Sequence, residues 1–304
     1  MVEGTASGAL RERLQKGPPL LLDGATGTEL ERRGLYTGLP LWSTHALLAA
    51  PDWLRRIHAD HAQAGAEIVT AATFRTQRRT LLRASAADPG LAARDAELTQ
   101  LAVRLAREGA AYAAHRVFVA GSAPPLEDCY RPDLVPAEEE LAGEHARHAA
   151  NLRMAGVDLI LVETMNSLVE AVAAARAAQA TALPFVVSFV CWEGAKLLSG
   201  EDLAEALDRI TASGPLGVAV NCLPPASVPA CLSVLQSCGM PFGIYANLGE
   251  PGDDSGFAPG GDCTPDEFAR HGSSWIRAGA RLVGGCCGAT PDHTRAMARA
   301  LAQA

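Results

Sequence analysis

Eight short apolar runs, separated by stretches with the spacing of amphipathic helices, constrain this chain more than any other feature. They are Leu20–Ala25, Ile68–Phe74, Val117–Ser122, Leu159–Thr164, Phe185–Val190, Val218–Cys222, Phe242–Asn247 and Arg281–Gly285. Runs this apolar on both faces need cover on both, which is the demand of a parallel sheet with crossover helices. Helices are expected over Pro51–Gln63, opened by a proline in the first turn, and over roughly Arg94–His115. Others are expected from Pro136, where Glu138, Glu139 and Glu140 suit the positive end of the dipole, near Glu201, and from Pro291. Eight strand–helix units close as a (β/α)8 TIM barrel, so the expectation is one α/β domain over residues 1–304. The competing fold is an open doubly wound sheet. Its phosphate-binding turn needs Gly-x-Gly-x-x-Gly, and the glycines of Asp23-Gly24-Ala25-Thr26-Gly27-Thr28 have the wrong spacing.

In a barrel, functional groups collect at the C-terminal strand ends, and there the chain carries unusual residues. The eighth run ends in Gly284-Gly285-Cys286-Cys287-Gly288 and the sixth in Asn221-Cys222. Neighbouring residues of a strand point to opposite faces, so Cys286 and Cys287 converge only through a kink, which the flanking glycines permit. Thiolates brought together in this way suit a soft divalent metal, most often zinc, whose catalytic sites keep one of four positions open. Cys222 is the third candidate ligand. The plainer alternative is that these are buried packing thiols. The fourth run ends on the carboxylate of Glu163. Residues 249–263, rich in Gly, Asp and Pro, form a long aperiodic connection of the kind that serves as a lid or binding loop.

His58 with His61, and His145 with His148, have a metal-capable spacing on helices. Helices lie on the outside of a barrel, so all four are expected to be surface or partly buried residues. Cys129, Cys191, Cys231, Cys238 and Cys263 are expected to be packing residues or free thiols, with Cys263 the most exposed. A formal charge of -8 disfavours nucleic acid and anionic membranes as partners. No signal peptide or membrane-length apolar run is visible, and scattered cysteines in a long chain fit reduced thiols. The expected location is the cytoplasm and the expected partners are small molecules.

Together these words resemble the homocysteine S-methyltransferase family of zinc-dependent barrel enzymes. The resemblance runs from Asp23-Gly24-Ala25-Thr26-Gly27-Thr28-Glu29-Leu30 through Leu41-Trp42-Ser43, Gly65-Ala66-Glu67, Val162-Glu163-Thr164 and Asn221-Cys222 to Gly284-Gly285-Cys286-Cys287-Gly288. It implies that Cys222, Cys286 and Cys287 ligate Zn2+ and that homocysteine brings the fourth sulfur. By the same resemblance Asp23 and Glu163 would hold the amino group of homocysteine, Trp42 and Phe74 would line the pocket against a cationic donor, and Asn221 and Asn247 would orient substrate or loop backbone. The family's donors are S-methylmethionine, S-adenosylmethionine, betaine and methylated folate. The chain has no room for folate and cobalamin modules. It also lacks the long C-terminal arm of the betaine-dependent branch, so a sulfonium donor and a monomer are expected. Other acceptors, a selenol or another thiol, stay open. Two further readings compete: a zinc-free barrel such as a lyase whose cysteines pack or form a redox pair, and a non-catalytic zinc- or thiol-binding redox sensor.

Overall fold

The computed structural model describes residues 6–86, 88–250, 258–259 and 263–303. Strands β1 (Leu20–Leu21), β2 (Ile68–Ala71), β3 (Phe118–Ala123), β4 (Leu159–Met165), β5 (Phe185–Phe189), β6 (Gly217–Asn221), β7 (Phe242–Ala246) and β10 (Leu282–Gly285) form one sheet; β8 (Gly249–Glu250) and β9 (Ala258–Pro259) pair separately. The eight-stranded sheet runs β1-β10-β7-β6-β5-β4-β3-β2, and every pairing in it is parallel. Its two edges meet through a parallel bridge between Leu22 and Ile68, where the Glu67 amide donates to Leu21 O at 2.8 Å and the Asp23 amide to Ile68 O at 3.0 Å. The ring therefore closes, and the fold is the expected (β/α)8 barrel.

Side-chain alternation divides the apolar residues into two cores. Leu20, Leu22, Ile68, Phe118, Leu159, Leu161, Val186 and Leu282 fill the barrel, while Leu21, Val69, Val119, Ile160, Val187 and Val283 face the helices. The helix Ala6–Lys16, which the apolar pattern alone does not reveal, closes the N-terminal end of the barrel by placing Leu10 and Leu14 in the inner core. Arg281, at the start of β10, donates to Leu14 O at 3.1 Å and to Gly17 O, so the plug is tied to the strand end. With that end blocked, the space left for a site lies at the C-terminal ends of the strands.

Some boundaries differ from expectation. The first run leaves the ladder after Leu22, because Asp23 turns its carboxylate back onto Thr70. The expected helix over Arg94–His115 occupies Asp95–Ala110, preceded by a tight turn at Leu91–Arg94. The surface placement of the four histidines is wrong: His58, His61, His145 and His148 are all buried. Outer helices have an inner face, and these residues are on it. His61 Nδ1 lies 2.9 Å from Thr294 Oγ1, and His148 Nε2 2.9 Å from Ser122 O. Burial holds His58 and His148 at about 4 and His61 at about 3, so they are neutral packing groups at physiological pH. Most of the 249–263 connection lies outside the described residues. No helix among the described residues is long and apolar enough to cross a membrane.

Candidate functional site

Alternation along each strand carries the inner core upward into a polar layer. On β4 the inward positions Leu159 and Leu161 lead to Glu163, on β3 Ala120 leads to Ser122, and on β7 Gly243 leads to Tyr245. On β6 Ala219 leads to Asn221, and beyond β10 the same face reaches Cys286. A cavity of about 150 Å³ opens above this layer, lined by residues that include Asp23, Trp42, Phe74, Glu163, Cys222, Cys286 and Cys287. Seven of the nine residues expected at the site thus border one cavity.

The three thiols converge, with their sulfurs all within 4.8 Å of one another and Cys222 Sγ only 3.1 Å from Cys286 Sγ. Local backbone makes this possible. Cys286 continues the β10 ladder by donating its amide to Ala246 O at 2.7 Å, and a turn then swings Cys287 round, closed by the Ala289 amide on Cys286 O at 3.1 Å. Gly284 approaches β1 so closely that a Cβ would meet Leu22 Cβ at 2.7 Å, and Gly288 sits at φ +82° with Leu248 O only 2.4 Å from where a Cβ would stand. Cys222 itself is left-handed at φ +57°, a strained state for a residue with a side chain. Trp192 Nε1 holds it there by donating to Cys222 O at 3.0 Å, and the Tyr130 hydroxyl lies 3.1 Å from Cys222 Sγ. The rings of Tyr130 and Trp192 pack against each other at 5.1 Å. Hydrogen bonds from Cys222 and Cys287 hold the Cys286 thiol well below its ordinary range, and the same contact with Cys286 pushes Cys222 up. The three converging sulfurs are a ready host for a soft cation.

Across the cavity lie two buried carboxylates. Burial raises Asp23 well above its ordinary value even though the Thr70 amide and hydroxyl donate to it at 2.8 and 3.0 Å. Burial also lifts Glu163 to about 7, against the hydrogen bond from Ser122 Oγ. Among the described residues neither has a cationic partner within ion-pair distance. Two buried carboxyls bordering one cavity, one of which raises the other, invite a single positive group between them. Tyr245 places its buried hydroxyl beside Glu163 and Ser188.

Asn221 and Asn247 do not border the cavity. Asn221 Oδ1 accepts from the Thr164 amide at 2.9 Å and Ser188 Oγ at 2.7 Å, and its Nδ2 donates to Thr164 Oγ1 at 2.8 Å. The β4–β5 register shifts between Val162 and Met165, and Thr164 is left-handed at φ +58°. Asn221 thus secures the bulge that aims Glu163, next to its own neighbour Cys222. Asn247 donates to Gly249 O at 3.0 Å, a loop-holding contact.

Cavity residues missed by the sequence reading are of two kinds. Ser122 and Tyr245 occupy inward positions near strand ends, so period-two counting on β3 and β7 would have found them. Arg75, Cys129 and Tyr130 also line the cavity but belong to connections after β2 and β3, where no periodicity operates. Of the other cysteines, Cys191 and Cys231 are buried in the outer core, as packing thiols should be, and Cys263 is half-buried.

Residues 20–301 match the model of the homocysteine S-methyltransferase family. The chain belongs to that family. Among its curated members, homocysteine S-methyltransferase of Escherichia coli is 32% identical over 314 residues, covering 95% of this chain and 97% of the relative. Homocysteine S-methyltransferase 2 of Zea mays is 31% identical, covering 98% and 95%. Selenocysteine methyltransferase of Astragalus bisulcatus is 27% identical, covering 94% of both chains. The metallated form of the homocysteine methyltransferase MmuM from Escherichia coli superposes with a TM-score of 0.81 at 28% identity, covering 95% of this chain and 99% of that one. The family's reaction is methyl transfer to homocysteine, which makes the chain a methyltransferase.

Proposed function

We propose that this protein transfers a methyl group from a sulfonium donor, S-methylmethionine or S-adenosylmethionine, to L-homocysteine, forming methionine, with zinc held by Cys222, Cys286 and Cys287. The observation that carries the reading is the shared cavity: three converging thiols face two buried carboxylates that lack a cation. Three soft sulfur donors, with no fourth protein ligand among the described residues, are the set expected of a catalytic zinc that leaves a position for substrate. When bound, zinc would hold the acceptor sulfur as a thiolate at neutral pH.

The chain's own groups do the rest. Asp23 and Glu163 receive the ammonium of homocysteine and so fix its backbone end, while the thiol end points to the cysteines. Trp42 and Phe74 offer aromatic faces to the donor cation. The acceptor sulfur lone pair forms the new S–CH3 bond as the donor S–CH3 bond breaks, and that electron pair returns to the donor sulfur. A thiolate and a sulfonium become two neutral thioethers, so a water-poor cavity favours the transition state. Alignment of the two substrates supplies several further kcal/mol. The protein is further proposed to act in the cytoplasm as a monomer on small-molecule substrates alone.

The test is methionine formation by zinc-loaded protein, with S-methylmethionine, S-adenosylmethionine and betaine supplied separately and metal content measured on the same sample. Turnover with a sulfonium supports the proposal, and turnover with betaine alone refutes the donor assignment. A selenocysteine acceptor arm belongs in the same assay, given the likeness to a selenocysteine methyltransferase. A zinc-replete protein inert toward every pair would instead be a thiol-binding sensor.

Tyr130 contacts the candidate ligand Cys222 through its hydroxyl. Removing its hydroxyl in Tyr130→Phe is expected to weaken zinc by about tenfold, the usual scale for a lost partner of a metal ligand. Competition with a chromophoric chelator measures this. An unchanged zinc affinity would show that the 3.1 Å contact with Cys222 is packing alone.

A further inference from the structure

Arg75 is an unusual residue to find in this cavity wall. It is only 8% exposed and borders the same space as Asp23, Glu163 and the thiols. Its Nη1 donates to Glu127 O at 3.0 Å, and its guanidinium lies 5.2 Å from the centre of the Phe74 ring. Those two contacts use one of five N–H donors and one face of the plane. Among the described residues no carboxylate lies within ion-pair distance of it. Two half-buried arginines of this molecule, by contrast, meet carboxylates: Arg33 pairs with Glu29 and Asp60, and Arg79 with Glu127 and Glu144. Asp128, an acidic residue of the same wall, uses Oδ1 on the Tyr130 amide. A mostly buried guanidinium that opens onto the cavity and meets no carboxylate is a ready partner for a ligand that supplies an anion. Its planar fork matches a carboxylate.

Resting on the proposed methyl transfer, we infer that Arg75 recognises the carboxylate of the methyl donor, so that the donor class is a zwitterion carrying both an onium methyl and a carboxylate. The placement suits that pair of groups. Phe74 presents its ring to Arg75 and borders the cavity together with Trp42, so the aromatic surface for the cation adjoins the guanidinium for the anion. Homocysteine has its own anchors in Asp23, Glu163 and the cysteines. A donor held at its carboxylate has one fewer rotational freedom when its methyl meets the acceptor sulfur.

The test is calorimetric binding to zinc-loaded protein without homocysteine, so that no turnover competes, comparing S-methylmethionine with its carboxamide, which keeps the sulfonium and amino groups and loses the negative charge. This reads binding, so it reports even if no methyl is transferred. Wild-type protein is expected to prefer the carboxylate by about 10- to 100-fold, the scale of a charge-assisted hydrogen bond. In Arg75→Gln that preference collapses to within about threefold, and Arg75→Lys, which keeps the charge without the fork, falls between. Circular dichroism of each variant checks the fold, and the wild-type comparison needs no variant at all. No preference in wild-type protein, the same preference in Arg75→Gln, or binding of neither compound would overturn the inference. Loss of homocysteine affinity in Arg75→Gln, with donor preference intact, would move the guanidinium to the acceptor and equally overturn it.

Discussion

Cys286→Ser is expected to lose nearly all bound zinc and on the order of 10³-fold in methyl transfer, with the barrel still folded. A serine hydroxyl does not ionise near neutrality and is a hard, poor zinc ligand, so the site falls to two thiolates. The residue stands above the apolar layer of Leu20, Leu159, Leu161 and Leu282, and its amide bond to Ala246 O does not depend on the side chain. The circular dichroism spectrum should therefore match wild type and the thermal midpoint should stay within a few degrees. Cys222→Ser and Cys287→Ser should behave alike. For Cys222 a small stability loss is also expected, because the Tyr130 hydroxyl then faces a different partner in an already left-handed residue. Zinc by elemental analysis and methionine formation by chromatography are the two measurements. A zinc-replete, fully active Cys286→Ser protein would remove Cys286 from the metal site.

The same layering explains what could be read from the sequence. An all-parallel barrel forces near-continuous apolar strands, so the eight runs announced the fold, and their polar last residues announced which end is functional. Glu163 and Cys222 were legible because each interrupts an apolar run at its C-terminal end. Asn221 was legible as a residue but not in its task, since its bonds to Thr164 and Ser188 cross between strands 57 and 33 positions away. The plug helix was missed because Leu10 and Leu14, with Ala9 packed beside them, are too few to make an apolar period. The histidines were misplaced because position on an outer helix does not say which face a residue occupies. Arg75 and Tyr130 carry no pattern at all: loop residues are brought to a site by the side chains that tie the loop down. Here Gln77 donates to Pro125 O and Leu126 O, Asn166 to Cys129 O, and Glu170 accepts from the Leu126 amide, all over long sequence separations.

Glu163→Gln is expected to weaken homocysteine and at the same time strengthen the fold, a combination that a purely structural carboxylate would not produce. Burial places the Glu163 value at about 7, against 4.5 when unburied, so the folded state holds a proton that the unfolded state has released over that interval. Stability therefore falls as pH rises from about 4.5 to 7 and is lower by on the order of 3 kcal/mol above it, where the carboxylate is charged, buried and unpaired. Glutamine never charges. Its chemical denaturation midpoint should exceed that of wild type at pH 8 and converge with it near pH 5. Binding should move the other way. The ammonium of homocysteine pairs with the ionised carboxylate, so wild-type affinity rises with pH through about 7, and the bound cation draws that inflection lower. In Glu163→Gln the inflection disappears and homocysteine affinity at pH 8 drops by about 10- to 100-fold, while Asp23 keeps a residual grip. Denaturation and calorimetric titration at pH 5 and pH 8 on both proteins give all four quantities. Unchanged affinity together with unchanged stability would return Glu163 to the role of a hydrogen-bond partner for Ser122.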